Sequence, residues 1–340
     1  SSDLMRGTTT APSRLLGTAC NESELVEYLE LVAKARPDTR VWNISANQNG
    51  FVTDPEEVSA LGHELALLAR KYNLLPVISV GNAGTGTSRR PSPPADCEAA
   101  IVVGGRQADA DGNPSQACSV CLQGPGPDGM LKPDLSWFSN LRMLGGVTKT
   151  GSSYATPLVS SLAAHAFATL RDPTPDLVKA LCINAAELEE HDPALGWGTP
   201  YNGHMPWACA PGSVTLAWRA RLEPGAAYYW NDIPIPPELV RNGKLYGKAR
   251  LTAVLNPLVS PFGGANYFSS RLETSLQYLD RPDGKWVSLL GSMKESTIAE
   301  SAARSDLKKW QPVRRHNADF SKGQGWQFGD NSFRLYARVY

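Results

Sequence analysis

A serine-containing segment that leads into an uncharged apolar run most constrains the fold of this chain. The segment runs from Gly151 to Pro157 (GSSYATP), and residues 158–170 after it contain no Asp, Glu, Lys or Arg. Because this run is rich in Ala, Leu, Val and Phe, it predicts a helix that is buried on all sides. Pro157 is expected in the first turn, where a missing N–H costs little. The sequence therefore predicts a serine at the N-terminus of a buried helix.

The position of that serine suits acyl-transfer chemistry. Backbone N–H groups at a helix N-terminus have no acceptor within the helix and favour developing negative charge on a bound acyl group. A serine there is also a common N-cap, which is a purely structural role. Residues 151–157 resemble the serine motif of the subtilisin-like (S8) proteases, Gly-Thr-Ser-x-Ala-x-Pro, with Ser152 in place of Thr. The resemblance implies that Ser153 is the catalytic nucleophile.

A second motif follows an apolar stretch at residues 75–84 (LPVISVGNAG), which predicts a buried strand that ends in a turn. In the S8 family a similar strand ends in Gly-Asn-x-Gly, and its Asn supplies a donor to the oxyanion hole. The resemblance assigns this role to Asn82. A neutral amide donor fits the task, and losing one such donor costs about 3 to 4 kcal/mol of barrier. A turn asparagine is the alternative.

Further segments match the S8 family in the same order along residues 35–203. They are residues 41–46 (VWNISA), 101–105 (IVVGG), 132–134 (KPD), 176–186 (DLVKALCINAA) and 196–198 (GWG). Their shared order implies an α/β fold, a subtilisin-like three-layer domain with a mainly parallel sheet. We expect this domain to occupy residues 1–206.

The resemblance also implies two segments that bind a peptide substrate. Ser45, Ala46 and Asn47 form the first, which would pair with an extended peptide through its backbone. Asn47 departs from the family's Ser-x-Gly, so the pocket is expected to differ there. The second segment would be Ser79, Val80 and Gly81, for which ordinary sheet core is the alternative.

The catalytic Asp and His motifs that the S8 family places upstream are not found in this sequence. Five histidines occur, at 63, 165, 191, 204 and 316, and none has the family's His-Gly-Thr context. His63, in a helix predicted at 56–72, is expected on an outer helix face, and His165 is expected as a packed core residue. Residues 22–35 predict a helix that resembles the one before the substrate strand. We therefore expect an upstream fragment of the same protein to supply Asp and His.

Residues 207–340 predict a second domain, an all-β sandwich. Segments 213–222, 248–255, 271–279 and 333–339 are β-rich or alternate apolar and polar residues between turns, and residues 290–310 predict a helix or an edge loop. The region loosely resembles the β domains appended to many S8 proteases. The whole arrangement faintly resembles bacterial subtilases paired with AAA-type ATPases, which implies such a partner.

Composition excludes several classes of function. The 33 basic and 33 acidic residues balance without a basic block, so no nucleic-acid partner is expected, and no apolar run is long enough to span a bilayer. The Cys118–Cys121 pair has no second pair or neighbouring His to complete a zinc site. We expect reduced thiols, no metal and no cofactor. A cytoplasmic location is expected, or a secreted one if a signal peptide precedes the sequence.

Together these features predict a serine endopeptidase of the subtilisin type that acts on polypeptides. The alternative is a catalytically inactive pseudoprotease or peptide-binding module that keeps the groove and lacks the base. A third possibility is an interaction scaffold in which the β region carries the function.

Overall fold

A computed structural model describes residues 22–48, 56–83, 89–201, 203–280, 284–291, 299–305, 310–320 and 328–340. Gly84, the last residue of the Asn82 motif, lies outside these ranges. Described residues from 22 to 127, 132–175 and 193–196 form one compact unit. Residues 128–131, 176–192 and the described part of 197–340 form a second one. Residues 176–206 thus cluster mostly with the second unit, and the boundary at residue 206 stays a prediction.

The first unit alternates strands and helices. Its helices are α1 (Glu22–Ala35), α2 (Ala60–Tyr72) and α3 (Ser152–Thr169). Its strands are β1 (Val41–Ile44), β2 (Leu75–Ser79), β3 (Ile101–Ala108), β4 (Pro114–Ala117), β5 (Leu135–Phe138), β6 (Asn140–Arg142) and β7 (Thr148–Thr150). A short 3-10 turn spans Pro127–Gly129.

The central sheet is mainly parallel, as the sequence predicts. β1 pairs with β2, β2 with β3, and β3 with β5, all in parallel, and β4 joins the end of β3 in the antiparallel direction. β6 and β7 form a separate hairpin that leads into α3. All five residues of β2 are buried, which explains why the strand is a continuous apolar run with no alternation.

Helices cover both faces of the sheet, which confirms the three-layer prediction. Neighbouring residues of β1 point to opposite faces. Ile44 packs into a core cluster with Leu65 of α2. Asn43, one residue earlier, accepts a hydrogen bond from Ser160 of α3 at 2.9 Å. Therefore α2 and α3 lie on opposite faces.

The Lys-Pro-Asp turn at residues 132–134 ties the sheet together. Lys132 Nζ lies 2.7 Å from Asp134 Oδ2, and both side chains are buried. The same carboxylate accepts the N–H of Val102 at 2.8 Å, and Lys132 also donates to the carbonyl of Ala100. A buried charge pair is tolerated when further hydrogen bonds satisfy both groups, and these bonds connect the turn before β5 to β3.

Three predictions about helix residues are wrong. α3 is buried along one face only: Leu158 is exposed, and so is His165, which was expected in the core. The uncharged run has a solvent side because small and hydroxyl-bearing residues occupy much of it. His63, expected on an outer face, is buried, because α2 starts at residue 60 and turns this side chain inward.

The second unit is mostly antiparallel β structure. Its helices are α4 (Pro175–Ala185) and α5 (Glu300–Ser305), with 3-10 turns at Pro237–Leu239 and Gly264–Asn266. Its strands are β8 (Ala227–Pro234), β9 (Val240–Arg241), β10 (Lys244–Leu245), β11 (Lys248–Val254), β12 (Leu272–Asp280), β13 (Lys285–Gly291), β14 (Val313–Asp319) and β15 (Phe328–Val339). Within the described ranges, none of the helices combines the length and apolarity that a membrane span requires.

Two antiparallel sheets of this unit share a core. One has the strand order β13-β12-β15-β8 and the other pairs β11 with β14. Tyr278 and Phe333 of the first sheet pack in one cluster with Leu251 of the second. The prediction of antiparallel β structure in the C-terminal region is thereby confirmed, with the short helix α5 inside the predicted segment 290–310. The strand predicted at 213–222 is wrong, because these residues pair with no strand in the described part of the chain and the apolar side chain of Val214 is exposed.

Candidate active site

The candidate site lies where two parallel strands end and α3 begins. Ser45 directly follows β1, Asn82 comes three residues after β2, and Ser153 is the second residue of α3. The carboxyl ends of parallel strands and the N-terminus of a helix are where open α/β sheets bind ligands. The structure thus brings together three residues that are far apart in the sequence.

Ser153 is not an N-cap. The N-cap of α3 is Gly151, and no side chain caps the helix there. Ser153 is half-buried, and its hydroxyl donates to the carbonyl of Ser45 across 3.5 Å, which is a long and weak bond. A side chain with so weak a partner is available to another ligand.

Proline shapes the first turns of α3. Pro157 is the sixth helical residue and not part of the first turn, so that prediction is wrong. Because proline has no N–H, the carbonyl of Ser153 lacks its usual acceptor bond from residue 157. The hydroxyl of Ser45 lies 3.5 Å from this carbonyl and donates to it instead. Ser45 and Ser153 therefore face each other through two long hydrogen bonds.

Ser152 orients the amide of Asn82. The backbone N–H of Ser152 donates to Asn82 Oδ1 at 2.9 Å, and the Ser152 hydroxyl contacts the same oxygen at 3.3 Å. A backbone N–H can only donate, so the atom it faces must be the carbonyl oxygen of the amide. The other end of the amide is therefore Nδ2, and this group donates to no acceptor in the part of the chain that the structure describes. Asn82 is exposed, so its N–H donors are accessible.

Two glycines make this approach possible. A Cβ atom on Gly151 would come within 3.2 Å of the Asn82 amide atoms. Gly81 has φ +100°, and a Cβ there would meet Leu122 at 2.8 Å. Its carbonyl accepts the buried Ser152 hydroxyl at 3.1 Å. Larger residues at either position would separate Asn82 from α3.

The two predicted substrate segments bind each other. Asn47 Nδ2 donates to the carbonyl of Ser79 at 2.8 Å, and the Ser79 hydroxyl donates to Asn47 Oδ1 at 2.7 Å. Val80 donates to Val103 and accepts from Ser92 through its backbone. Ser79 and Val80 are fully buried, whereas Ala46 is exposed. A peptide can therefore reach the first segment at Ala46, whereas Ser79 and Val80 of the second segment have no exposed surface.

A family model for the subtilase family matches residues 8–198, more than half of the chain. The chain belongs to the subtilase family. The fold described above is that of a subtilase, with further antiparallel sheets in the C-terminal part. No curated protein matches the chain.

Solved structures of subtilisin-like proteases resemble this subtilase. The self-cleaved protease domain of PatA is 24% identical with a TM-score of 0.36, covering 49% of this chain and 60% of that one. The prenylagaramide maturation protease PagA is 22% identical with a TM-score of 0.40, covering 52% and 64%. MycP1 from Mycobacterium smegmatis is 18% identical with a TM-score of 0.38, covering 60% of each chain. This subtilase thus spans 60 to 64% of the length of these three proteins.

The histidines of the first unit lie away from Ser153. His165 is twelve residues further along α3, which corresponds to about 18 Å of helix at 1.5 Å per residue. His63 belongs to α2, in the helix layer on the other face of the sheet from α3. His191, His204 and His316 belong to the second unit. Neither histidine of the first unit is placed as a base for Ser153.

Two contacts at the site are absent from the sequence prediction. Cys121 Sγ lies 3.6 Å from Asn82 Oδ1, and Ser152 holds the other side of the same amide. The sequence does contain a sign that Ser152 belongs to the site: it precedes Ser153 and replaces the Thr of the family motif with another hydroxyl residue. Cys121 has no comparable signal, because 39 residues separate it from Asn82. No group of three or more His, Cys, Asp or Glu side chains that could hold a metal ion occurs among the described residues.

Proposed function

We propose that this subtilase is a serine endopeptidase, with Ser153 as nucleophile and Asn82 as oxyanion donor. The observation that carries the proposal is the bond from the Ser152 N–H to Asn82 Oδ1 at 2.9 Å, which leaves Asn82 Nδ2 as a donor next to Ser153. A preorganised amide donor beside a helix N-terminus is the arrangement that stabilises an oxyanion. An endopeptidase acts on polypeptides, which the exposed backbone near Ala46 would hold as an added strand.

The reaction would pass through an acyl-enzyme. Ser153 Oγ attacks the scissile carbonyl, its proton passes to a histidine, and the carbonyl oxygen becomes an oxyanion that accepts from Asn82 Nδ2 and from the N–H of Ser153. The histidine then protonates the leaving amine. Water attacks the acyl-enzyme, gives a proton to the same histidine, and releases the carboxylic acid product as Ser153 regains its hydrogen.

In this proposal the base for Ser153 comes from another segment of polypeptide. A serine hydroxyl is a weak nucleophile until a base takes its proton, and the base needs an acidic partner that holds its tautomer. We propose that an upstream polypeptide of the same protein provides both His and Asp. Its histidine would have to displace the weak 3.5 Å bond from the Ser153 hydroxyl to the Ser45 carbonyl.

A fluorophosphonate probe tests the proposal. We expect the probe to phosphonylate Ser153 when the chain is produced together with the upstream polypeptide, and to leave the isolated chain unlabelled. Peptide mapping by mass spectrometry locates the modified residue. Ser153→Ala should abolish labelling, because the variant lacks the oxygen atom that attacks the phosphorus of the probe. Ser161→Ala is the matched control, since Ser161 is an exposed serine of the same helix.

The labelling experiment also separates the two halves of the proposal. Labelling of the isolated chain at Ser153 would contradict the need for an upstream base. Labelling at another residue, or none in either sample, would contradict the peptidase itself.

A peptide-binding module without catalysis is the second candidate. The observation in its favour is that the Ser153 hydroxyl contacts a backbone carbonyl and that neither histidine of the first unit is placed at it. This candidate predicts that extended peptides bind the chain without being cleaved. It also predicts that Ser153→Ala leaves function in the cell unchanged.

A partner of the AAA-type ATPase class and a cytoplasmic location complete the proposal. The faint sequence resemblance to paired subtilases supports the ATPase, with the C-terminal β region as the proposed docking part. Co-purification of such an ATPase with the intact chain, and its loss on removal of residues 207–340, is the expected result. Fractionation of cells tests the location.

A further inference from the structure

A four-residue turn places two cysteines beside Asn82. Cys118 and Cys121 end the turn that follows β4, and the N–H of Cys121 donates to the carbonyl of Cys118 at 3.2 Å. Both carry free thiols and both are buried. The Cα atoms at the ends of a β-turn lie less than about 7 Å apart, which matches the span of a disulfide. The backbone thus holds these thiols at a distance that one bond can close.

The surroundings distinguish the two sulfur atoms. Gly105 leaves space for Cys121, because a Cβ atom there would lie 2.5 Å from Cys121 Sγ. A hydrogen bond from Cys121, assisted by one from Ser139, lowers the pKa of Cys118 to about 5 against the opposing effect of burial. The same hydrogen bond raises the pKa of Cys121, and burial adds to that effect. Of the two cysteines, Cys118 is therefore the one that favours the thiolate form.

Cys182 shows that this behaviour belongs to the pair. It is buried, as both cysteines of the turn are, but burial alone raises its pKa to about 12. A thiolate is the form of cysteine that attacks disulfides. Of Cys118, Cys121 and Cys182, only Cys118 has a lowered pKa, which is typical of a reactive cysteine.

The turn is attached to the residues on both sides of Asn82. Ala83 donates its N–H to the carbonyl of Val120 at 2.8 Å, and Leu122 donates to the carbonyl of Gly81 at 3.0 Å. Between these two bonds, Cys121 Sγ lies 3.6 Å from Asn82 Oδ1. A change in the turn therefore reaches the amide that we propose as the oxyanion donor.

We propose that Cys118 and Cys121 form a reversible disulfide, and that its formation removes the Cys121 S–H, which Cys118 and Asn82 share as acceptors, and shifts the proposed oxyanion site. The oxidant is a low-molecular-weight disulfide such as oxidised glutathione. Cys118 thiolate attacks one of its sulfurs and expels one thiolate, which takes up a proton. Cys121 then loses its proton and attacks Cys118 Sγ in the mixed disulfide, which expels the second thiolate. The protein loses two electrons and the one proton of Cys121, solvent supplies the second proton, and one small disulfide becomes two thiols.

Formation of the disulfide is testable without any enzymatic activity. The intact chain is equilibrated in buffers with increasing ratios of oxidised to reduced glutathione, quenched with acid, alkylated and mapped by mass spectrometry. We expect a peptide that links Cys118 to Cys121 and disappears after dithiothreitol. Cys121→Ser should instead accumulate the mixed disulfide on Cys118. Cys182→Ala is the control and should titrate as the unchanged chain does.

Two results would overturn the disulfide. One is that both thiols of the turn remain alkylatable in fully oxidised glutathione while the chain stays folded. The other is that the purified chain carries one zinc ion that protects both thiols and is lost in Cys118→Ala.

The effect on Asn82 rests on the proposed function and needs a second readout. In the sample that fluorophosphonate labels, we expect oxidation to slow phosphonylation of Ser153 by about 3- to 10-fold, the effect of losing one hydrogen bond. Cys118→Ala cannot form the disulfide and keeps Cys121 as a donor for Asn82, so its rate should be insensitive to oxidation. Equal rates in the oxidised and reduced chain would disprove the link to Asn82. If no sample is ever labelled, the peptidase fails while the mass measurement still decides the disulfide.

Discussion

The helices on the two faces of the central sheet begin in opposite ways. Ser59 caps α2: its hydroxyl oxygen accepts the N–H of Gly62 at 3.0 Å. Asp96 closes the cap further, since it accepts both the N–H and the hydroxyl of Ser59 at 2.7 and 2.9 Å. Burial raises the pKa of Asp96 against the lowering effect of these bonds. In contrast, α3 begins at Gly151 without a side-chain cap.

The difference shows that a helix N-terminus can be capped for stability in one place and left uncapped for a ligand in another. At α2, the Ser59 hydroxyl oxygen accepts the N–H of Gly62, and Asp96 accepts the N–H of Ser59. At α3, the one N-terminal N–H that a side chain of the described residues accepts is that of Ser152, and the acceptor is Asn82 Oδ1. An uncapped helix costs about 1 kcal/mol, and such local costs are typical of functional sites.

The largest expected effect comes from Asn82→Asp, which converts the proposed donor into an acceptor. The carboxylate still accepts the Ser152 N–H, so the contact to α3 remains, but the donor Nδ2 is replaced by a charged oxygen. We expect phosphonylation of Ser153 in the labelling sample to slow by about 10²- to 10³-fold. A rate within threefold of the unchanged chain would contradict the role of Asn82 as oxyanion donor. The missing side-chain cap of α3 would then need another explanation.

Ser152→Ala tests what holds the open end of α3 together. The substitution removes the bond from the Ser152 hydroxyl to the Gly81 carbonyl at 3.1 Å, and this buried carbonyl keeps only the bond from the Leu122 N–H. We expect the free energy of unfolding in urea to fall by about 0.5 to 1.5 kcal/mol, the net contribution of one hydrogen bond. Ser161→Ala, at an exposed position of the same helix, should be neutral or slightly stabilising. Equal effects of the two substitutions would contradict the structural role of Ser152.

Ser59→Ala removes the cap of α2 and should act on stability alone. The expected loss is about 1 kcal/mol, with about 2 as the upper limit for such caps. Urea unfolding measures this loss, and the fluorophosphonate rate of the folded variant should be unchanged. A change in that rate would mean that α2 also influences the site across the sheet.

The smallest effect concerns the other end of α2. Lys71 and Tyr72 in its last turn donate to Glu30 of α1 at 2.7 and 2.8 Å, and with Lys34 they lower the pKa of Glu30 from 4.5 to about 2. Because the folded pKa lies below the unfolded one, this contribution is present above pH 4.5 and is lost as the pH falls towards 2.

Glu30→Gln should therefore reduce the difference between the melting temperatures at pH 6 and pH 2.5. The exposed Glu64→Gln in α2 is the control for removing a carboxylate from this pair of helices. The contact would be unimportant if Glu30→Gln and the unchanged chain lost the same stability on acidification.

Much of the first unit follows from local sequence signals. β2 and the helix at residues 22–35 lie within the predicted segments, and β3 begins at the predicted residue 101 and continues to Ala108. Such runs are decided by neighbours in sequence, whose side chains set the periodicity. The exposure of His165 and the burial of His63 did not follow, because the rotation of a helix depends on what packs against it.

The second unit shows more clearly that local sequence patterns do not decide how a segment packs. Residues 213–222 alternate as a strand would, but Val214, Leu216 and Trp218 are exposed and nothing in the described chain pairs with them. Alternation describes a strand only when a sheet is present to accept its hydrogen bonds and cover its apolar face. Residues 248–254, which alternate less regularly, form β11 because β14 pairs with them along their whole length.

The sequence by itself determined the family, the order of the first three parallel strands and of the helices in the first unit, and the choice of Ser153 and Asn82 as candidates, because these depend on residues that are neighbours in the chain. Only the tertiary structure decided that Ser152 turns the Asn82 amide and that the Cys118–Cys121 turn lies against it. These contacts join residues 39 and 70 positions apart. Their geometry depends on how the strand ends and α3 meet, and that is set by packing across the sheet.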